Sequence, residues 1–321
     1  MPLVGIAKLA AQSPLLEEKR RVSYLELPAK SFIGSCSGKR QIFDWTVNPY
    51  RGCEYGCRYC YARYTHEFME LSASDFETRI FAKQWDALQF RREIRRLAPG
   101  DTVAFGTATD CYQPAERRFA LTRRMLEEFQ RASVEGLKIV VTTKSDLVAR
   151  DVDLLRPLSR RNDVRVSFTI TTLNPALARQ TEPLAPHPAR RLDALRKLAQ
   201  AGIATGVGLS PVLPRITDSE ENVNAVAAAA KAAGARTLWA QPLFLKDSAR
   251  KVFLPWLAAE FPALLAKYRA WYTREAYLKG PYIDWLNRRL EAARLRHGLT
   301  ERSAAWRPAD WLGPAQLQLF G

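Results

Sequence analysis

Three of the five cysteines in the chain fall within eight residues, inside the stretch "NPYRGCEYGCRYCYARYTHEF" (48–68). Cys53, Cys57 and Cys60 follow the spacing Cys-x3-Cys-x2-Cys. Thiolates at these separations can converge on one centre, because a looping backbone turns through roughly a circle over that span. Two chemistries suit them. A structural zinc site closes with four protein ligands, and His66, six residues after Cys60, is a candidate fourth. A cubane iron–sulfur cluster on three cysteines keeps one iron free for an exogenous ligand. An odd cysteine count, with three clustered, argues against a disulfide framework. Of the other two, Cys36 is expected to be structural or at the surface, and Cys111 is taken up below.

Elements that could position this loop are readable around it. Six runs rich in β-branched or aromatic residues predict strands at 41–47, 101–109, 137–143, 164–172, 203–210 and 236–244. Helical patterns lie between them, notably "ERRFALTRRMLEEFQRAS", "HPARRLDALRKLAQAG" and "SEENVNAVAAAAKAAGA", the last two ending where Gly202 and Gly234 suit a C-cap. Alternating strands and helices predict an α/β fold with a parallel sheet wrapped by helices. Six units are too few for an eight-fold barrel, so an incomplete (β/α)6 TIM-type barrel is expected, with its site at the C-terminal strand ends. A doubly wound open sheet is the alternative, but no glycine-rich dinucleotide fingerprint follows the first strand. The expected organisation is an N-terminal extension (1–40), the partial barrel (41–245), a helical segment (246–299) and a tail (300–321).

Composition narrows the class. The chain is 47% hydrophobic and 26% charged, an ordinary globular balance. No apolar run approaches the length that crosses a bilayer, and the opening "MPLVGIAKLAAQSPLLEEKR" lacks the basic flank and long apolar centre of a signal peptide. A cytoplasmic protein with no membrane partner is expected. Forty-nine Lys and Arg against 33 Asp and Glu give a net charge of +16, which favours polyanions; the same charge spread evenly would mean little. Residues 250–298 hold nine aromatics and ten Lys or Arg against four acids. Tyr268, Trp271, Tyr272, Tyr277, Tyr282 and Trp285 are candidate stacking platforms there, with Arg288, Arg289, Arg294 and Arg296 for phosphate. The competing reading is a helical cap with aromatics in its core and arginines in solvent.

Cys-x3-Cys-x2-Cys with an aromatic residue, Tyr59, before the last cysteine, on a loop after the first strand, resembles the signature of radical S-adenosylmethionine enzymes. The resemblance implies a 4Fe–4S cluster on the three thiolates, S-adenosylmethionine chelating the free iron through its amino and carboxylate groups, and Tyr59 beside the adenine. More narrowly, "NPYRGCEYGCRYCYAR" and "GTATDCYQPAE" resemble the spore photoproduct lyase-like, or DNA-repair-photolyase-like, branch over roughly residues 40–245. That implies reductive cleavage of S-adenosylmethionine, with an electron from a donor such as flavodoxin or ferredoxin. The resulting 5′-deoxyadenosyl radical abstracts a hydrogen atom from substrate, while the protein positions the reactants and excludes water.

The resemblance also carries residues over. Thr107, Ala108, Thr109 and Asp110 end strand two, where such enzymes contact the methionyl amino group; Asp110 either accepts from it or caps the turn before "YQPAE". Lys144, after "VVTT", matches a lysine that contacts the cofactor carboxylate, though lysines beyond strands are usually solvated. Ser167 and Thr169 alternate on strand four and so face one side, expected to be the interior, where they would bind ribose or carboxylate. Arg190 and Arg191 open the next long helix and are expected in solvent, the alternative being that one of them salt-bridges the cofactor carboxylate. Photoproduct lyases carry a hydrogen-donating cysteine three residues ahead of the matching Asp. Thr107 stands there in this chain, and Cys111 follows Asp110 by one residue. Cys111 is thus either a shifted hydrogen donor or a small buried side chain.

The leading expectation is a radical enzyme acting on a damaged or modified base in nucleic acid, DNA favoured. The alternatives are radical modification of a peptide, protein or small molecule, and a zinc-stabilised nucleic-acid-binding module without catalysis. The ending "QLQLF" resembles the peptide by which bacterial DNA polymerases and repair enzymes dock on the sliding clamp, with Gln316, Leu317, Leu319 and Phe320 as its matching positions.

Overall fold

Side-chain alternation on six strands separates a helix-packed face from a polar one. The computed structural model of the chain describes residues 3–19, 21–36 and 42–301. Its parallel strands are β1 (Trp45–Val47), β2 (Thr102–Phe105), β3 (Lys138–Thr143), β4 (Asp163–Thr169), β5 (Ala204–Val212) and β6 (Thr237–Pro242). They lie side by side in chain order, and Ile33–Ser35 adds an antiparallel strand on the outer edge of β1. This is the expected partial barrel.

In-register pairing sorts the side chains. Val47, Phe105, Val141, Val166, Phe168, Val207 and Leu238 join one apolar cluster with Met125, Phe129, Leu155, Leu195 and Val226 of the covering helices. Each such fully buried side chain contributes about 1.5–3 kcal/mol. The opposite face carries Thr46, Ala104, Thr142, Arg165, Ser167, Gly206 and Trp239, small or polar and mostly half-buried. Ser167 and Thr169 therefore share the inner face, as alternation predicts.

The helices at Pro188–Gln200 and Glu220–Ala232 stop just before Gly202 and Gly234. The predicted helix over 116–133 is split: Ala120, at φ 52°, separates Glu116–Phe119 from Leu121–Arg131. Residues ahead of the barrel, with others between β1 and β2, build a second, four-stranded sheet. Leu15–Lys19 pairs with Val22–Leu27, which runs parallel to Arg79–Lys83; that strand in turn pairs with Tyr50–Arg51, the lead into the cysteine loop.

Beyond β6 come helices Asp247–Glu260, Pro262–Trp271 and Pro281–His297. They correct several expectations for nucleic-acid contact. Tyr268 and Tyr272 are buried, their hydroxyls donating to the carbonyls of Pro214 and Leu243. Tyr282 donates to Asp218, and Arg289 lies 4.2 Å over the Trp285 ring while donating to the Asp218 carbonyl. Arg294, 8% exposed, donates to the Leu238 carbonyl. These groups fasten the cap to the barrel. Arg288 and Arg296 stay exposed, and Tyr277 stands apart from the cap's core. Among the described residues no helix is long and apolar enough to cross a membrane. The clamp-like peptide lies outside the described residues.

Candidate functional site

The cysteine loop leaves the small sheet at Gly52 and crosses the C-terminal ends of the barrel strands. Gly52 has φ +82°, and a Cβ there would meet the Phe76 carbonyl oxygen at 2.8 Å and that of Arg79 at 2.9 Å, so only glycine fits. Cys53 N–H donates to the Phe76 carbonyl. Wholly buried Arg63 donates to the carbonyls of Ala73 and Cys57 and pairs with Glu77. The loop is therefore held from its start to just past Cys60.

Gln113, 0% exposed, ties this loop to the end of β2. Its Oε1 accepts from Glu54 N–H at 2.9 Å, and its Nε2 donates to the Gly52 carbonyl and Thr109 Oγ1, each at 2.9 Å. Asn48, just after β1, donates to Thr107 Oγ1 at 3.0 Å and accepts from Ala108 N–H at 2.8 Å. Neither anchor carries a signal in the sequence beyond its place beside the motifs.

Asp110 is spent locally to a large degree. Its Oδ1 accepts from Tyr112 N–H (2.9 Å) and Thr143 Oγ1 (2.7 Å), and its Oδ2 accepts from Lys144 N–H (2.7 Å). The side chain clamps the ends of β2 and β3 together and caps the turn. Burial raises its carboxyl, against those three hydrogen bonds.

Tyr59 is buried with its hydroxyl donating to Glu182, while Lys144 Nζ sits 5.6 Å over its ring. Glu182 pairs with Arg191 at 2.5 Å, both side chains 1% exposed. Arg191 also donates to the carbonyls of Pro186 (2.8 Å) and Thr169 (2.9 Å). This corrects the solvent reading of Arg191; Arg190, its neighbour, is exposed and pairs with Asp146. Burial works to lower the Lys144 ammonium, but Cys57 and Glu182 outweigh it and hold it above its ordinary value. Lys144 is thus a partly enclosed cation facing the loop rather than a solvated one.

Two further residues sit differently. Ser167 accepts from Trp239 Nε1 at 2.8 Å across the polar inner face. Cys111 is 0% exposed in the apolar cluster with Phe105, Met125 and Leu126. A thiol sealed into that core has no path to substrate, which corrects its reading as a hydrogen donor.

Burial pushes all three loop thiols up, Cys57 to about 12; Cys57 and Cys60 oppose ionisation of Cys53, and Cys60 opposes that of Cys57. Lys144 favours the thiolates of Cys57 and Cys60. Thiols in such a place become thiolates only against a strong local cation, and a coordinating metal centre supplies one. Among the described residues no three His, Cys, Asp or Glu groups are already gathered at metal-holding distances, so the fit rests on donor chemistry. His66 is turned elsewhere. Its Nε2 bonds the Arg79 carbonyl at 2.9 Å, its ring packs against Phe76 and Phe81, and burial lowers it to about 4.

Comparison with known proteins agrees with this geometry. The family model for the radical SAM superfamily matches residues 47–225. An uncharacterized protein of Mycobacterium tuberculosis is 34% identical over 304 residues, 93% of this chain and 88% of the relative. An uncharacterized protein of Methanocaldococcus jannaschii is 29% identical over 181 residues, covering 55% of this chain and 63% of that one. Among solved structures, a spore photoproduct lyase mutant with bound AdoMet and dinucleoside spore photoproduct superposes with a TM-score of 0.64 at 15% identity, covering 88% of this chain and 82% of that one. Streptococcus suis SuiB bound to precursor peptide SuiA gives 0.51 at 11% identity, covering 81% and 49%. Three loop thiols, a cation-bearing strand end and a family match across the barrel converge: the chain belongs to the radical SAM superfamily of enzymes, whose cofactors are a 4Fe–4S cluster and S-adenosylmethionine.

Proposed function

We propose that this radical SAM enzyme acts on nucleic acid, with a damaged or modified base in DNA as the favoured substrate. The observation that carries the reading is a cationic cleft on the flank of the cysteine loop. It holds about 340 Å³ between Tyr55, Tyr112, Arg117, Arg179, His187 and Arg190, three arginines against the one carboxylate of Asp146, which pairs with Arg190. With a net charge of +16, that cleft suits a phosphate backbone running past the barrel mouth. The solved spore photoproduct lyase that shares the frame holds a dinucleoside lesion, which supports the reading through fold alone.

In this reading Cys53, Cys57 and Cys60 hold the cluster. Tyr59, Lys144, Ala108, Thr109, Asp110, Ser167 and Thr169 belong to the S-adenosylmethionine seat. When bound, the pair of cofactors supplies reductive carbon–sulfur cleavage and hydrogen-atom abstraction. The chain's own part is placement. Lys144 offers an ammonium to a carboxylate, and Asp110 keeps the β2 and β3 ends at fixed separation with one acceptor position left over. The Glu182–Arg191 pair orients Tyr59 through its hydroxyl. The wall of Tyr59, Glu182 and Arg191, buried throughout, keeps water from the reacting centre.

Cluster-loaded protein is expected to bind single-stranded or lesion-containing DNA, losing about 10- to 100-fold in affinity between 50 and 200 mM salt for a few phosphate contacts. Turnover with deuterated oligonucleotide is expected to put deuterium into 5′-deoxyadenosine. Absence of binding at low salt would turn the reading toward a peptide or small-molecule substrate.

The terminal peptide belongs to the same proposal. Gln316, Leu317, Leu319 and Phe320 suit an apolar clamp pocket, with the glutamine amide fixing register. In a pull-down with purified bacterial sliding clamp, the full chain is expected to be retained. A chain ending at Ala315, and Leu319→Ala combined with Phe320→Ala, are expected to be lost with cluster content unchanged. Equal retention of all three rejects clamp docking.

A further inference from the structure

One tryptophan stands on the face of the barrel where the other side chains are small or polar. Trp239 of β6 is in register with Gly208 of β5 and, one strand further, with Thr169 of β4. Its indole crosses β5 to donate from Nε1 to Ser167 Oγ at 2.8 Å. Gly208 is what lets it lie there. A Cβ at that glycine would meet the ring atoms Cζ2, Cε2 and Cη2 at 2.5, 2.6 and 3.1 Å. Two bonded atoms nearly equidistant, with the third only slightly farther, put that Cβ over the face of the six-membered ring rather than at its edge. The indole therefore lies flat on the backbone of β5, a close approach that glycine permits.

The other face of this ring looks into the barrel. Trp239 is half-buried, yet it packs into none of the apolar clusters formed by the described residues. Among those residues the bond to Ser167 is its one polar or ring interaction, so no second aromatic ring and no cation covers it. A large apolar side chain outside every core is the informative exception to ordinary burial. Its surroundings leave room. Ser167 and Thr142, paired in register on β4 and β3, are half-buried, and Gly206 and Gly208 bring no side chain. The Thr142 hydroxyl has no hydrogen-bond partner among the described residues. Trp239 also precedes the end of β6 at Pro242, whereas Lys144, over the Tyr59 ring, comes after β3 has ended at Thr143. The indole thus lies deeper in the barrel than the groups at the strand ends.

We infer that the open face of Trp239 is the surface on which the reacting nucleobase lies inside the barrel. This deepens the nucleic-acid reading above and rests on it. A base taken out of its stack brings a π-face, which an indole accepts whatever the sequence. It also brings an edge of nitrogen and oxygen atoms, which the free Thr142 hydroxyl can serve as donor or acceptor. An aromatic side chain of a peptide brings the π-face with at most one polar atom, so the hydroxyl beside the ring favours the base. Abstraction of one chosen hydrogen needs a substrate held in a fixed plane. Trp239 supplies that plane, because the glycine seat sets the tilt of its ring and Ser167 sets the rotation.

The test uses the full, cluster-loaded chain and a single-stranded deoxyoligonucleotide carrying one 2-aminopurine between two abasic residues, so that only the protein can stack on the base and quench its fluorescence. Wild type is expected to bind and quench it. Trp239→Ala is expected to weaken binding about 5- to 100-fold and to release the quenching, whereas Trp239→Phe keeps most of both. Trp239→Leu fills the space without a π-face and is expected to behave as Trp239→Ala, which keeps the test readable if the alanine variant folds poorly. Gly208→Ala drives the ring off its seat and is expected to weaken binding likewise, but to add nothing in the Trp239→Ala background. Iron content and S-adenosylmethionine affinity are expected to stay at wild-type values in Trp239→Leu. No binding by wild type at low salt overturns this inference together with the nucleic-acid reading. Firm wild-type binding and quenching that Trp239→Leu and Gly208→Ala leave unchanged overturns the role of Trp239 alone. If Trp239→Leu instead loses S-adenosylmethionine and keeps the oligonucleotide, the ring belongs to the cofactor. If it loses a tryptophan-containing tetrapeptide and keeps the oligonucleotide, the ring belongs to a peptide.

Discussion

Alanine at Cys53, Cys57 or Cys60 is expected to abolish the intact iron–sulfur cluster and with it all cleavage of S-adenosylmethionine, whereas His66→Ala is expected to keep its iron. The contrast follows from where the donors stand. The three thiols share one buried loop, and burial raises the cost of ionising each of them, so a cationic centre is what makes thiolates of them. Three thiolates leave one iron of a cubane without a protein ligand, and a two-thiolate remnant holds the cluster poorly. His66 instead bonds the Arg79 carbonyl and packs between Phe76 and Phe81. Its loss opens a cavity and lowers stability without touching the donor set. Iron and sulfide content, with the absorption that bleaches on dithionite, reads both outcomes. Iron lost from His66→Ala while the cysteines are intact would mean that a fourth protein ligand exists.

The barrel was legible because its outer face obeys a simple rule. Runs such as "KIVVTT" and "DVRVSFT" place Val and Phe toward helices at every second position, and that alternation survives in any parallel sheet covered on one side. The strand ends were less legible. Residues 106–109, "GTAT", read as the tail of β2, yet β2 stops at Phe105. Gly106 has φ +82°, and a Cβ there would meet the Thr142 carbonyl oxygen at 2.6 Å, so the chain turns out of the sheet where Thr-rich composition still suggests a strand. That turn is what presents Ala108, Thr109 and Asp110 to the mouth.

Partnership was the least legible feature. Arg190 and Arg191 are neighbours of one type, but successive helix positions point about 100° apart, and only one of them reaches the buried Glu182. Tyr268 and Tyr277 likewise share a type and a segment, and tertiary packing alone buries the first and leaves the second half-buried. Val22–Leu27, ahead of the barrel, found its second partner in Arg79–Lys83, more than fifty residues on, through a pairing no local pattern announces.

Replacing Arg191 by Met is expected to destabilise the cluster-free chain by about 3–5 kcal/mol, because it strands the carboxylate of Glu182 in a wall that is almost sealed. It also removes the donors to the Pro186 and Thr169 carbonyls, leaving two acceptors unserved. Glu182→Gln should cost comparably, since it leaves the guanidinium unpaired even though an amide oxygen can still accept from Tyr59. The double variant Glu182→Gln with Arg191→Met removes both charges and is expected to recover part of the loss, so the two single costs will not add. The pair predicts a pH dependence of definite sign. Burial works to raise the Glu182 carboxyl, but Arg191 and Lys144 outweigh it and hold it below its ordinary value of 4.5. A depressed carboxyl lends stability above the unfolded value, and that stability drains away as pH falls below 4.5 toward the folded one. Urea unfolding of wild type and the three variants at neutral pH and below pH 4.5 measures both effects. Single variants within about 1 kcal/mol of wild type, or an acid slope unchanged in Glu182→Gln, would rule out the pair as a keystone of the wall. The readout at the site is separate: with Glu182 free to swing, Tyr59 loses its hydroxyl partner, and S-adenosylmethionine affinity should fall in the Arg191 variant while the three thiolates still hold their iron.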